Sequence, residues 1–245
     1  MMVSHQRPMD EVHFGINEPQ EDEYAIFRTT SCSPLENLVF PHKKEYFLNE
    51  HAGTLENEIK TGEWKSNLAW FMKKIFFKTG KRIVSKNPFN SMRIKELASL
   101  FPDAKFIHIY RNPLDIVPST IHMWSIIQKQ NCLNRNRTEP SVQEVTNVLR
   151  QYWDKISADL STLPASQYCE ICFEDLEKNP SETLVSLYNH FNMPVTTPFL
   201  DKVGEFLDKH KNYQKNKYDL PEQVKHLIMQ RLQPHMLKFG YLNKN

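Results

Sequence analysis

The sequence predicts an α/β fold in which a parallel sheet is flanked by helices. Three observations carry that expectation. Short β-branched or aromatic runs alternate with longer stretches of helical apolar spacing. The stretch Arg82–Ser119 reads as strand, polar loop, helix, strand, polar loop, helix, which fits a right-handed crossover between parallel strands of about 30 residues. Both of its strands end alike, in a cation followed by Asn-Pro: Lys86-Asn87-Pro88 and Arg111-Asn112-Pro113. Ligands of open α/β sheets sit beyond the carboxyl ends of the strands, so Lys86 and Arg111 are candidates to hold an anion.

The elements follow from local chemistry. Residues 64–80 (WKSNLAWFMKKIFFKTG) carry Leu68, Phe71, Met72, Ile75 and Phe76 as an apolar stripe, with Gly80 as the residue after the helix. Arg82–Ser85 is a β-branched run ended by Asn87-Pro88. Asn90 or Ser91 then caps a helix carrying Met92, Ile94, Leu97, Leu100 and Phe101, and Pro102-Asp103 stops it. Lys105–Tyr110 alternates as a second strand. Asn112 is a natural N-cap and Pro113 a natural first helical residue for the helix that follows, in which Pro118 gives a reason to bend. Ser141-x-x-Glu144 is a capping box opening a helix to Leu163, with Val145, Val148, Leu149, Tyr152, Trp153 and Ile156 on its core side. Gln167–Phe173 is strand-like, and Lys178-Asn179-Pro180-Ser181 starts a helix to Phe191. Further helices are expected over 196–208 and from Pro221 to about Phe239.

Composition excludes some classes. A net charge of +2 gives no electrostatic case for a nucleic-acid partner. No run of about 18 apolar residues occurs, so no membrane span is expected. The opening residues lack an apolar leader core, and a cytoplasmic protein is the expectation. Among the four cysteines, Cys169 and Cys172 fall on opposite faces of one strand and read as free thiols, not as a metal or redox pair. His42 and His51 have no metal-ligand spacing, and Arg135 and Arg137 read as solvated loop residues.

Arg111, a helix N-terminus and the hydroxyl of Ser119 together suit a phosphate monoester. The run R-N-P-L-D-I-V-P-S, Arg111–Ser119, resembles the 3′-phosphate-binding motif of sulfotransferases, roughly R-x-P-x-D-x-x-x-S after a strand. The preceding K-N-P-F-N and L-F-P-D-A-K-F-I-H-I-Y-R resemble segments of tyrosylprotein sulfotransferases and of bacterial sulfotransferase-family proteins. Tyr168, Phe173, Glu174, Asp175, Leu176 and Pro180 form a Y-x-x-x-x-F-E-D-L-x-x-x-P pattern similar to the family's Y-E-D-L segment, where Glu174 and Asp175 would cap and orient the loop.

The resemblance implies a P-loop-NTPase-like sheet in a single domain over residues 1–245. It implies 3′-phosphoadenosine-5′-phosphosulfate (PAPS) as donor, no metal, and a hydroxyl acceptor that is a carbohydrate, lipid, peptide or small molecule. Arg111 and Ser119 would hold the donor's 3′-phosphate, and Lys86 would stabilise charge at the transferring group. Glu21 would be the first choice for general base and Glu23 the second. Lys211 and Lys215, in the basic loop His210–Tyr218, are weaker candidates to close over the donor. The family's P-x-S-G-T-T type loop, which wraps the 5′-phosphosulfate, has no match among the six glycines. The first βα unit therefore reads as missing, through truncation, degeneration or supply by another chain. A non-catalytic sulfotransferase-fold protein that binds a nucleotide or partner is the alternative. A kinase is disfavoured by the lack of G-x-x-x-x-G-K-[ST].

Overall fold

The structure, a computed structural model, describes residues 7, 9, 20–30, 33–35, 58–131 and 139–242, with backbone alone at 58–60 and 131. Cys32, Cys132, His42, His51, Arg135 and Arg137 lie outside the described residues. Chain order gives α1 (Asp22–Thr30), α2 (Glu58–Thr79), a 3₁₀ turn (Pro88–Met92), α3 (Ile94–Leu100), β1 (Phe106–Tyr110), α4 (Pro113–Asn131) and α5 (Val142–Leu160). These are followed by β2 (Tyr168–Cys172), α6 (Phe173–Lys178), α7 (Pro180–His190), α8 (Thr197–His210) and α9 (Glu222–Lys238). Among the described residues no helix is long and apolar enough to cross a membrane.

Local chemistry explains most boundaries. Gly80, at φ +61, ends α2 in the left-handed region, and its N–H reaches Phe76 O at 2.7 Å. Ser141 and Glu144 form the full capping box of α5. The cap ahead of α3 is Asn87, not Asn90 or Ser91: its side chain accepts the Phe89 N–H and opens the 3₁₀ turn, and α3 begins only after Arg93. The helix expected to start at Lys178-Asn179-Pro180-Ser181 and run to Phe191 is α7, with Pro180 in its first turn; the segment ahead of it, expected as a loop after the strand, is the short helix α6, which ends at the Asn179-Pro180 step.

β1 and β2 pair in parallel, with Phe106 opposite Tyr168 and Tyr110 opposite Cys172. The crossover between them runs through α4 and α5. This differs from the expected crossover out of Arg82–Ser85, which is not a strand. That run has no ladder partner among the described residues, and Val84 is 87% exposed. β propensity alone does not make a strand, because the ladder bonds must come from a neighbour.

The main core lies between α3, α4, α5 and α9, around Val117, Trp153, Ile156, Ile228, Leu232 and Met236. A second cluster joins α1 to α2 through Ile26, Trp64 and Leu68. α1 is held by buried polar contacts as well. The Glu23 carboxylate accepts from both terminal nitrogens of Arg93, at 2.8 and 3.2 Å, and each side chain is 1% exposed. Asn87 Nδ2 donates to Glu23 Oε2 at 2.7 Å, and the Arg93 guanidinium lies 4.9 Å from the Trp64 ring centre.

Two predictions follow from these contacts. Arg93→Leu leaves the Glu23 charge buried without its partner and costs about 3–5 kcal/mol of stability, read as the shift of the denaturation midpoint; adding Glu23→Leu recovers part of the loss. A second concerns acid. The hydrogen bond from His108 Nδ1 at 3.0 Å holds the Glu170 carboxyl below its ordinary value; burial opposes it, and Lys238 assists. The folded value is below the unfolded one of about 4.3, so this stabilisation is present above that pH and is lost as pH falls through the folded value. His108→Ala should flatten the acid limb of the stability profile, as urea titrations across that range will show.

Candidate active site

The first candidate group forms where α1 meets the loop after Arg82–Ser85. Three successive acids take three different partners there. Glu21 Oε1 accepts from Lys86 Nζ at 2.5 Å. Asp22 accepts from Ser85 Oγ at 2.9 Å and from Asn87 Nδ2 at 2.8 Å. Glu23 belongs to Arg93 and Asn87. The buried bonds of Asp22 and Glu23 fix the start of α1 against Ser85–Asn87, and Glu21, one residue earlier, consequently falls on Lys86. Lys86 is 77% exposed and Glu21 28%, so this pair faces solvent whereas Glu23 does not.

The second group forms at the carboxyl end of the sheet. Tyr110 pairs with Cys172, so the residues that follow, Arg111 and Phe173, leave the sheet side by side. The Arg111 guanidinium stacks 4.7 Å over the Phe173 ring, and its Nη2 lies 3.3 Å from Asp115 Oδ2. Its Nε is buried and has no hydrogen-bond partner among the described residues. Asn112 Oδ1 caps α4 by accepting the Leu114 N–H at 3.0 Å, and its carbonyl receives Asp115 and Ile116. Asp115 and Ser119, four residues apart, lie on one face of α4, and Arg111, two residues before the helix, reaches that face through Asp115. α4 continues through Pro118, and Ser119 is half-buried.

The loop after α8 approaches the same platform. Lys215 Nζ lies 5.8 Å from the Phe173 ring centre and bonds Glu177 at 2.5 Å. Asn216 Nδ2 donates to the Met9 carbonyl at 3.0 Å, and the Tyr218 ring is 6.0 Å from His122 of α4. Lys211 is exposed just past α8.

Glu174 joins the group from behind. One carboxylate oxygen accepts the Asn112 backbone N–H at 2.9 Å; the other accepts Tyr241 O–H at 2.7 Å and Cys172 S–H at 3.0 Å. Burial pushes this carboxyl up, but the hydrogen bonds from Cys172, Asn112 and Tyr241 outweigh it and hold it below its ordinary value. Burial and the bond to Glu174 push the Tyr241 hydroxyl well above its own.

The structure thus brings Glu21 to Lys86 and Arg111 to Asp115, one helical turn before Ser119; the bonds of the described residues do not join the two groups. Sequence reasoning missed Arg93, whose partner is 70 positions away, and Phe173, which reads only as the end of a strand.

Comparison with known proteins bears on the whole arrangement. A family model described as "Sulfotransferase family" matches residues 7–197. Two curated relatives are each 29% identical over 244 residues: the omega-hydroxy-beta-dihydromenaquinone-9 sulfotransferases Stf3 of Mycobacterium bovis and Mycobacterium tuberculosis. The alignment takes in 98% of this chain and 62% of each relative, so the chain spans under two thirds of their length. Two solved structures share the fold. Sulfotransferase STF9 from Mycobacterium avium has a TM-score of 0.68 at 14% identity, and sulfotransferase STF1 from Mycobacterium tuberculosis has 0.61 at 15%. Each covers 90% of this chain and is itself covered over 56%.

Proposed function

From the premise that this chain belongs to the sulfotransferase family, we propose that it acts in the transfer of a sulfuryl group from PAPS to a hydroxyl acceptor. The observation that carries this reading is the setting of Arg111. It follows a strand, stands at a capped helix N-terminus, is stacked on Phe173, and keeps a buried Nε with no partner among the described residues. Such a group suits a phosphate: the fork supplies charge and direction, and the helix start supplies N–H donors. The residues present therefore fit the 3′-phosphate end of the donor.

In this reading PAPS supplies the sulfuryl group and leaves as the 3′,5′-bisphosphate, with a new S–O bond to the acceptor and loss of the S–O bond to the 5′-phosphate. Arg111 binds the 3′-phosphate, Ser119 adds a hydroxyl donor from the same face, and Lys215 adds a cation beside Phe173. Lys86 carries an exposed charge that would stabilise the negative charge growing on the leaving oxygen. Glu21 takes the acceptor's proton. Its preference over Glu23 is supported by the commitment of Glu23 to Arg93, since a base must reach the proton it removes. The named relatives act on a hydroxylated menaquinone, and a hydroxyl-bearing lipid is the acceptor class we favour.

Binding without transfer is the second reading. It is favoured by the separation of the two groups: among the described residues no bond joins Arg111 to Lys86 or Glu21, so a phosphate could be held without the transfer step.

Two measurements test these roles. Calorimetric titration with adenosine 3′,5′-bisphosphate should show binding that weakens about 10–100-fold in Arg111→Ala, the worth of one or two charged hydrogen bonds; equal affinity of the two proteins would sink the Arg111 assignment. Sulfate-transfer assays should show Lys86→Ala and Glu21→Gln each lowering kcat about 10²–10³-fold with bisphosphate affinity little changed. Wild-type binding with no turnover on any hydroxyl compound offered would favour the second reading.

A further inference from the structure

Glu174 opens α6, and its two oxygens serve different parts of the molecule. Oε1 accepts the N–H of Asn112, the amide of the peptide that joins Arg111 to the cap of α4. A peptide unit is planar, so an acceptor fixed on this N–H sets the plane that leaves Arg111 and hence the direction of its side chain. Oε2 accepts Tyr241 O–H and Cys172 S–H, which stops the carboxylate from turning away. Tyr241 is aimed there by the end of α9. Gly240 takes φ +75, its N–H reaches Leu237 O at 3.1 Å, and the Tyr241 N–H reaches Met236 O at 2.8 Å, which is a Schellman closure. The parallel register supplies the remaining constraint, because it sets Asn112 and Glu174 two residues beyond the paired Tyr110 and Cys172.

We infer that Glu174 is a positioning residue for Arg111, braced by Tyr241, so that hold on the donor's phosphate depends on a contact from the far end of the chain. The inference rests on the reading of Arg111 as the phosphate ligand.

The test is a double-mutant cycle on the full chain, titrated with adenosine 3′,5′-bisphosphate. Glu174→Ala should weaken binding about tenfold, while Glu174→Gln, which keeps one acceptor oxygen, stays within about threefold of wild type. Tyr241→Phe, which retains the ring, should fall between them. In an Arg111→Ala background, Glu174→Ala should cause no further loss of affinity, although its effect on Tm persists. Unchanged affinity in a folded Glu174→Ala protein, or the same fold-loss in both backgrounds, overturns the inference. The rate of amide hydrogen exchange at Asn112, measured without ligand, should rise in Glu174→Ala and in Tyr241→Phe; an unchanged rate also overturns it. This second readout separates the two ideas. Wild type and Arg111→Ala that titrate alike refute the ligand role of Arg111, and Asn112 exchange then decides the positioning role alone.

Discussion

The buried ion pair of Glu23 with Arg93 is the contact on which the first half of the candidate site depends. Two charges at 1% exposure are tolerated only because each is matched: Arg93 spans both oxygens of Glu23, Asn87 adds a third bond, and Trp64 offers its ring face. Apolar packing of Ile26 against Trp64 and Leu68 brings α1 to α2 but has little directional preference. The ion pair provides that direction. It fixes the rotation of α1 and its advance along the chain, and so determines that Glu21 meets Lys86. A shift of one residue at this point would bring a different acid to the lysine.

The second half depends on the register of two five-residue strands. Parallel pairing of β1 with β2 makes residues equally far beyond the strands into neighbours, and both loops use this: Arg111 stacks on Phe173, and Asn112 bonds Glu174. The same strands carry His108 against Glu170, with Tyr110 stacked on Phe239 at 4.2 Å. The sheet is thereby tied to the end of α9, and the residues after that helix reach the Arg111 loop. A site assembled at strand ends is in this way connected to the most distant part of the described chain.

Several large apolar side chains of the described residues are exposed, among them Phe77 at the end of α2, Val84 in the run Arg82–Ser85, and Ile107 and Ile109 on β1.

Much of this was legible from residue order. Helical spacing marked α2 and α5, and Pro221 marked the start of α9. Ser141 with Glu144 and Asn112 with Pro113 marked helix starts, because a cap is a contact between residues two or three apart. Arg111 and Ser119 could be picked out as candidates because they belong to a local strand-loop-helix pattern, β1 into α4, which the structure has, whereas the strand expected before Lys86 is not formed. What the tertiary structure alone decided is which side chains from remote segments share a place. Glu21 and Glu23 look alike in sequence; one faces solvent beside Lys86 and the other is enclosed with Arg93. Phe173 became a platform for Arg111 and Lys215 only through strand register. Short-range order is written in neighbouring residues, whereas a buried charge pair or a sheet register is chosen by the free energy of the whole packed chain.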